Sequence, residues 1–180
     1  MDIALTQAIN SLAGNHPILD RAMIAIADYG KFVLVFAVVL LWWRRDQRLQ
    51  ARHACVVAGL ACVMSLASNE FLRLFIHRIR PYDAGITHLW ITPNPDWSFP
   101  SGHAVASIAI VAALWFKGLT RIASVLSVLV ALICFSRIYL GLHYVTDILG
   151  GVLVGALVAF ILAKLYQDDS WYAQRITNIF

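Results

Sequence analysis

Residues 122–163 read IASVLSVLVALICFSRIYLGLHYVTDILGGVLVGALVAFILA. Two apolar runs, 122–136 and 148–163, lack Asp, Glu, Lys and Arg and flank a polar junction holding Arg137, His143 and Asp147. Each run falls short of the roughly 20 residues that span a bilayer core. Each lengthens only by taking in Arg137 on one side or His143 and Asp147 on the other. Charge at membrane depth is costly and is usually kept for function. The stretch therefore reads as two membrane helices joined at a mouth that carries ionisable groups.

Three further runs lack those four residue types: 32–43, 53–69 and 97–116. Composition agrees with a membrane chain. Apolar residues make up 61% of the 180 residues and charged residues 13%, with a mean hydropathy of +0.74. A soluble domain is nearer 45–50% apolar and about 25% charged. The chain reads as an all-α integral membrane protein, a bundle of about five transmembrane helices at roughly 28–44, 53–77, 101–117, 120–139 and 144–166. Residues 2–13 read as an interfacial amphipathic helix, with Ile3, Leu5, Ile9 and Leu12 apolar and Thr6, Gln7, Asn10 and Ser11 polar. Residues 17–27 form either a short helix after Pro17 or an extension of the first span. Met1 is followed by Asp2 and by no small-residue cleavage site, so no signal peptide is expected. A single domain over 1–180 is expected.

The net charge of +4 does not point to nucleic acid, because the basic residues sit at the ends of apolar runs. Arg44, Arg45, Arg48 and Arg52 surround one acid, Asp46, and Lys117, Arg121 and Lys164 fall on the same side. That side is expected to face the cytoplasm. Cys55, Cys62 and Cys134 lie in apolar runs without a CxxC pair, which argues against a disulfide framework or thiolate site. The long connection at 78–100, with Pro81, Pro93, Pro95, Pro100 and Gly85, is of a length that usually serves function.

Three clusters fall on the opposite side: Arg73 to Pro81, Pro100-Ser101-Gly102-His103, and Ser136-Arg137-x5-His143-x3-Asp147. Arg73 and Arg80, seven apart, are expected on one helix face, with Glu70 and His77 nearby. Arginines there suit a phosphate dianion. Ser101-Gly102-His103 would open a helix, whose N-terminal amides attract anions. His143 and Asp147 at i,i+4 pair a nucleophile with a carboxylate that fixes its tautomer. His103 is positioned to act as general acid.

At these residues the chain resembles the type 2 phosphatidic acid phosphatase superfamily, whose signature is Lys-x6-Arg-Pro, Pro-Ser-Gly-His and Ser-Arg-x5-His-x3-Asp. The second and third parts match in full; the first has Arg73 for lysine. Arg78 lies between matched positions and reads as a surface or headgroup contact. The resemblance implies a phosphatase that needs no metal or other cofactor. His143, His103 and Asp147 would be catalytic, and Arg73, Arg80, Ser101, Gly102 and Arg137 would bind phosphate. The partner implied is a lipid phosphate entering from the bilayer. The layout looks like the bacterial undecaprenyl-diphosphate phosphatase branch, which implies the inner membrane and a periplasmic site. Phosphatidylglycerophosphate, phosphatidate and lipid A phosphatases share this pattern.

Other classes fit less well. A zinc hydrolase using His77, His88, His103, His143 and Asp147 lacks HExxH-type spacing, and its arginines would repel the cation. The related vanadate-dependent haloperoxidases are soluble. A small transporter would account for Glu70 and Arg73 at membrane depth but not for the three-part pattern.

Overall fold

The structure is a computed structural model that describes residues 1–92, 95–168, 170, 173, 175 and 177. Pro93 lies outside the described residues. The elements are α1 (Asp2–Asn10), α2 (Pro17–Leu41), α3 (Arg48–Arg73), α4 (Gly102–Phe116), α5 (Thr120–Tyr139) and α6 (Val145–Leu165). By length and composition α2, α3, α5 and α6 can each cross a membrane, and α4 is a shorter apolar helix. The chain is an all-helical, multi-pass membrane protein.

Helix α4 is the centre of the bundle and packs against α3, α5 and α6. Its closest partner is α6, through small residues. A Cβ added at Gly151 would stand 2.7 Å from Ala104 Cβ and 3.1 Å from Ser101 O. One added at Gly155 would press on the backbone at Val105 and Ala109. This G-x3-G pair lets the two backbones approach where lipid provides no hydrophobic drive to pack.

Residues 17–27 belong to α2 and lengthen the first span. Helix α3 starts at Arg48 and stops at Arg73, earlier than expected. Leu74 and Phe75 make a turn, and the chain from Ile76 to Arg80 is not helical. Arg73 and Arg80 therefore do not share a helix face. Arg80 precedes Pro81, which disfavours the α conformation, and the irregular segment lets Arg80 turn inward to full burial.

His143 and Asp147 likewise do not lie on one helix. Tyr144 caps α6, so His143 precedes the helix and Asp147 is its third residue. The reversal after α5 uses Gly141 at φ +81°, where a side chain would run into His88 O and lie 3.1 Å from Thr87 Oγ1.

Helix α1 is amphipathic as expected, and its polar face is the docked one. Thr6 and Asn10 are buried, while Ile3 and Leu5 are exposed. The Asn10 amide donates to His88 O at 3.0 Å and Tyr139 O at 2.9 Å, and its oxygen accepts His88 N–H at 2.8 Å. Ile3, Leu5 and Leu12 are left outward, as an interfacial helix requires, while Ile9 packs against the core.

Candidate active site

The end of the bundle formed by the 74–101 connection, the α5–α6 reversal and the start of α4 gathers all eight candidate residues. His143 is 1% exposed. Its Nε2 lies 3.3 Å from Arg80 Nη1 and its Nδ1 lies 3.4 Å from Asp147 Oδ2. A guanidinium only donates, so Nε2 must accept and the proton belongs on Nδ1. The Nδ1–carboxylate contact is long and makes no hydrogen bond, leaving Nδ1 buried and unpartnered. Burial pushes the His143 pKa down to about 4. Asp147 acts against that shift, and the charges of Arg80 and Arg137 reinforce it. The imidazole is neutral at neutral pH.

Asp147 is fully buried. Its Oδ2 accepts Ser98 Oγ–H at 2.5 Å and Tyr144 N–H at 2.8 Å. Its Oδ1 accepts Arg78 Nη1–H at 2.7 Å. Arg78 is therefore not a bare surface or headgroup contact. It also reaches Thr146 Oγ1 and Asp2 Oδ2, each at 2.6 Å, and lies 3.8 Å from the Tyr144 ring centroid.

The arginines converge through a loop carboxylate. Arg73 Nη1 donates to Asp96 Oδ2 at 2.6 Å and to Glu70 Oε1 at 3.1 Å. Arg80 donates through Nη2 to Asp96 Oδ1, through Nε to Asp96 O at 2.9 Å and through Nη1 to Leu142 O at 2.9 Å. Burial acts to raise the Asp96 pKa. The hydrogen bonds and charges of Arg80 and Arg73 outweigh it and hold the carboxyl below its usual range. Arg137 is 3% exposed, and no carboxylate among the described residues forms an ion pair with it.

Ser101 caps α4, so Gly102 and His103 occupy its first turn, where amides lack partners inside the helix. A Cβ on Gly102 would lie 3.6 Å from Asn69 Nδ2 and 3.9 Å from Arg73 Nη2, within the space the arginines surround. Among the described residues, the buried side-chain N and O atoms without a partner are Asn69 Oδ1, Arg73 Nε, Ser101 Oγ, Arg137 Nε and His143 Nδ1. All belong to this site. Orphaned buried polar groups are rare because each costs about 1–3 kcal/mol. His143 Nδ1 faces Asp147; of the rest, Arg73 Nε, Arg137 Nε and Ser101 Oγ can donate and two are on cations, which is the complement of an anion.

Two cavities open from the site. One of about 600 Å³ is lined by Arg73, Arg80, His103 and His143 at its polar end and by residues such as Leu34 and Leu66 beyond. It shares Val35, Val39, Cys62 and Ile110 with an almost wholly apolar groove of about 630 Å³. A second, polar cavity of about 510 Å³ reaches His103 and Arg137 past Asp28 and Trp90. Lys31 lines both cavities that touch His103.

Sequence patterns missed Asp96, Ser98, Asn69, Lys31, Asp2 and the role of Arg78. Lys31 and Asn69 were detectable as polar residues within long helices; the others depend on contacts distant in the chain. His77 packs on Trp97 at 4.8 Å between centroids. Among the described residues no three His, Cys, Asp or Glu side chains are grouped to hold a metal ion.

Residues 54–171 match the family described as the PAP2 superfamily. The chain is 30% identical over 164 residues to undecaprenyl-diphosphatase BcrC of Bacillus subtilis, covering 91% of this chain and 83% of that protein. It is 32% identical over 185 residues to putative undecaprenyl-diphosphatase YbjG of Escherichia coli, covering 96% and 90%. The fold is similar to the crystal structure of a transmembrane PAP2-type phosphatidylglycerolphosphate phosphatase from Bacillus subtilis. That comparison has a TM-score of 0.68 at 22% identity and covers 95% of this chain and 87% of the other.

Proposed function

The chain belongs to the PAP2 superfamily and is a lipid phosphatase, and from that premise we propose that its substrate is undecaprenyl diphosphate or a close polyprenyl diphosphate. The observation that carries the reading is the cluster of orphaned donors on Arg73, Ser101 and Arg137 beside an apolar groove. It offers a charged end for phosphate and a dry channel for a long hydrocarbon chain.

In this reading His143 Nε2 attacks the terminal phosphorus. The bond from phosphorus to the bridging oxygen breaks, and undecaprenyl phosphate leaves with a proton from His103. Asp147 Oδ2, 3.4 Å from Nδ1, closes on the Nδ1 proton as the cation forms and stabilises it. Arg73, Arg80, Arg137, the Ser101 hydroxyl and the Gly102 amide hold the phosphoryl oxygens through the transition state. His103 then takes a proton from water, which attacks the phosphohistidine and releases phosphate. Charge stabilisation comes from arginines, so no metal or other cofactor is needed. Lys31 lines both cavities that reach His103, and a further cation beside the arginines suits the second phosphate of a diphosphate. The site would face the periplasm of the inner membrane, opposite the basic 44–52 loop.

The test is phosphate release from a polyprenyl diphosphate, phosphatidylglycerophosphate, phosphatidate and a lipid A phosphate, with EDTA present, using wild-type and His143→Ala protein. Preference for the diphosphate, and loss of turnover in the variant, is the expected result. Preference for a monoester would move the substrate to one of the other lipid classes.

A further inference from the structure

Asp147 has no exposed surface and accepts hydrogen bonds at both oxygens from Arg78, Ser98 and Tyr144, as an ionised carboxylate does; the neutral His143 cannot balance it. A buried carboxylate without a counterion costs several kcal/mol. The balancing cation is Arg78, whose Nη1 donates to Asp147 Oδ1 at 2.7 Å and to Thr146 Oγ1 at 2.6 Å.

Arg78 is itself held from the other side by the N-terminal helix. Asp2 Oδ2 accepts Arg78 Nη2–H and Thr146 Oγ1–H, each at 2.6 Å. Asp2 Oδ1 accepts Thr146 N–H at 3.1 Å, and Thr6 Oγ1 accepts Val145 N–H at 3.2 Å. Helix α1 therefore supplies acceptors to the free amides at the start of α6, where a negative charge is favoured. Burial acts to raise the Asp2 pKa, but hydrogen bonds from Thr146 and Arg78 hold it below the usual carboxylate range, so Asp2 stays anionic.

We infer that Asp2 and Arg78 are positioning residues: a charged brace, Asp2–Arg78–Asp147, through which the interfacial helix α1 fixes the carboxylate that orients His143. The inference rests on the reading that His143 is the nucleophile. Asp147 Oδ2 is shared among Ser98, Tyr144 and His143, whereas Oδ1 is held by Arg78. Arg78 thus fixes the rotation of the carboxylate, and Asp2 with the Tyr144 ring fixes Arg78. A slack carboxylate leaves the imidazole free to turn, and misplacement of about 1 Å can cost on the order of 10²-fold in rate.

The brace also sets the charge seen by His143. The groups facing it are Asp147, Arg80, Arg137 and His103, with Asp96 bound to Arg80. Removing Arg78 leaves the Asp147 charge uncompensated and favours the protonated imidazole. The acid limb of kcat/KM should therefore move to higher pH than in wild type on the same substrate. The shift should be absent in Arg78→Lys, which keeps the cation.

The experiment follows the rate of His143 phosphorylation by rapid quench in full-length protein with labelled farnesyl diphosphate. It compares wild type, Asp2→Asn, Asp2→Glu, Arg78→Lys, Arg78→Met and the Asp2→Asn/Arg78→Met double variant, with thermal midpoints alongside. We expect Arg78→Met to slow labelling by about 10–100-fold and Asp2→Asn by less, mainly in kcat. The double variant should be no slower than Arg78→Met alone, and Asp2→Glu and Arg78→Lys should recover part of the loss. Additive losses, or wild-type rates in Asp2→Asn and Arg78→Met, would overturn the brace. Absence of label on His143 in wild type would instead overturn the nucleophile assignment. If Arg78→Met does not fold, Asp2→Asn with its Glu counterpart decides the question alone.

Discussion

Gly151→Ala is the sharpest probe of how the fold places the site. The new methyl would stand 2.7 Å from Ala104 Cβ, 3.1 Å from Ser101 O and 3.1 Å from Val105 N. Carbon atoms pack at about 3.5–4.0 Å, so Ala104 must withdraw by roughly 1 Å. None of the three atoms is the end of a flexible side chain, so the first turn of α4 must move as a unit. That turn carries Ser101, Gly102 and His103, while His143 and Asp147 stay with α6. Overpacking of this kind costs about 1–3 kcal/mol. Separating the two halves of the site by about 1 Å should lower kcat/KM by on the order of 10²-fold. The assay is phosphate release from a polyprenyl diphosphate in nanodiscs, with thermal unfolding of the same samples. Gly59→Ala, whose added Cβ meets nothing within 4 Å, should not lower the midpoint. Wild-type kcat/KM in Gly151→Ala would refute the claim that α4–α6 spacing sets the geometry.

Arg137→Ala and Arg80→Ala should each cut turnover by about 10²-fold or more, as expected for donors aimed at developing charge, while Arg73→Lys keeps more activity than Arg73→Ala; equal losses across all of them would mean the cradle is misassigned. His103→Ala should lose most activity on a polyprenyl diphosphate and regain part of it on an aryl phosphate, whose leaving group needs no proton; unchanged loss on both substrates would remove His103 as the acid. Since the His143 pKa lies below the ordinary histidine value, the ring gains its proton only as pH falls toward about 4. A ¹⁵N-histidine signal that disappears in His143→Ala should stay neutral through pH 6.5, and protonation near 6.5 would contradict the buried site. A cysteine introduced at exposed Asp83 should react with an impermeant thiol reagent in intact spheroplasts, and reaction only after permeabilisation would invert the topology.

The sequence alone determined what depends on local pattern. Apolar run length predicted membrane helices, and α5 falls at 120–139 as expected because Gly118 and Gly141, both at positive φ, flank it. The three motifs identified the family and the residues that meet at one end of the bundle. Periodicity was insufficient wherever a helix ended inside a motif. Arg73 and Arg80 were expected on one face, yet they meet at Asp96 because α3 stops between them. His143 and Asp147 meet across a helix cap and not along a helix. Tertiary structure alone decided what balances Asp147. Asp2, Arg78 and Asp147 are distant in sequence, and none forms a recognisable spacing with the others. They are joined because a buried carboxylate requires a cation, and the start of α6 requires acceptors, whichever part of the chain supplies them.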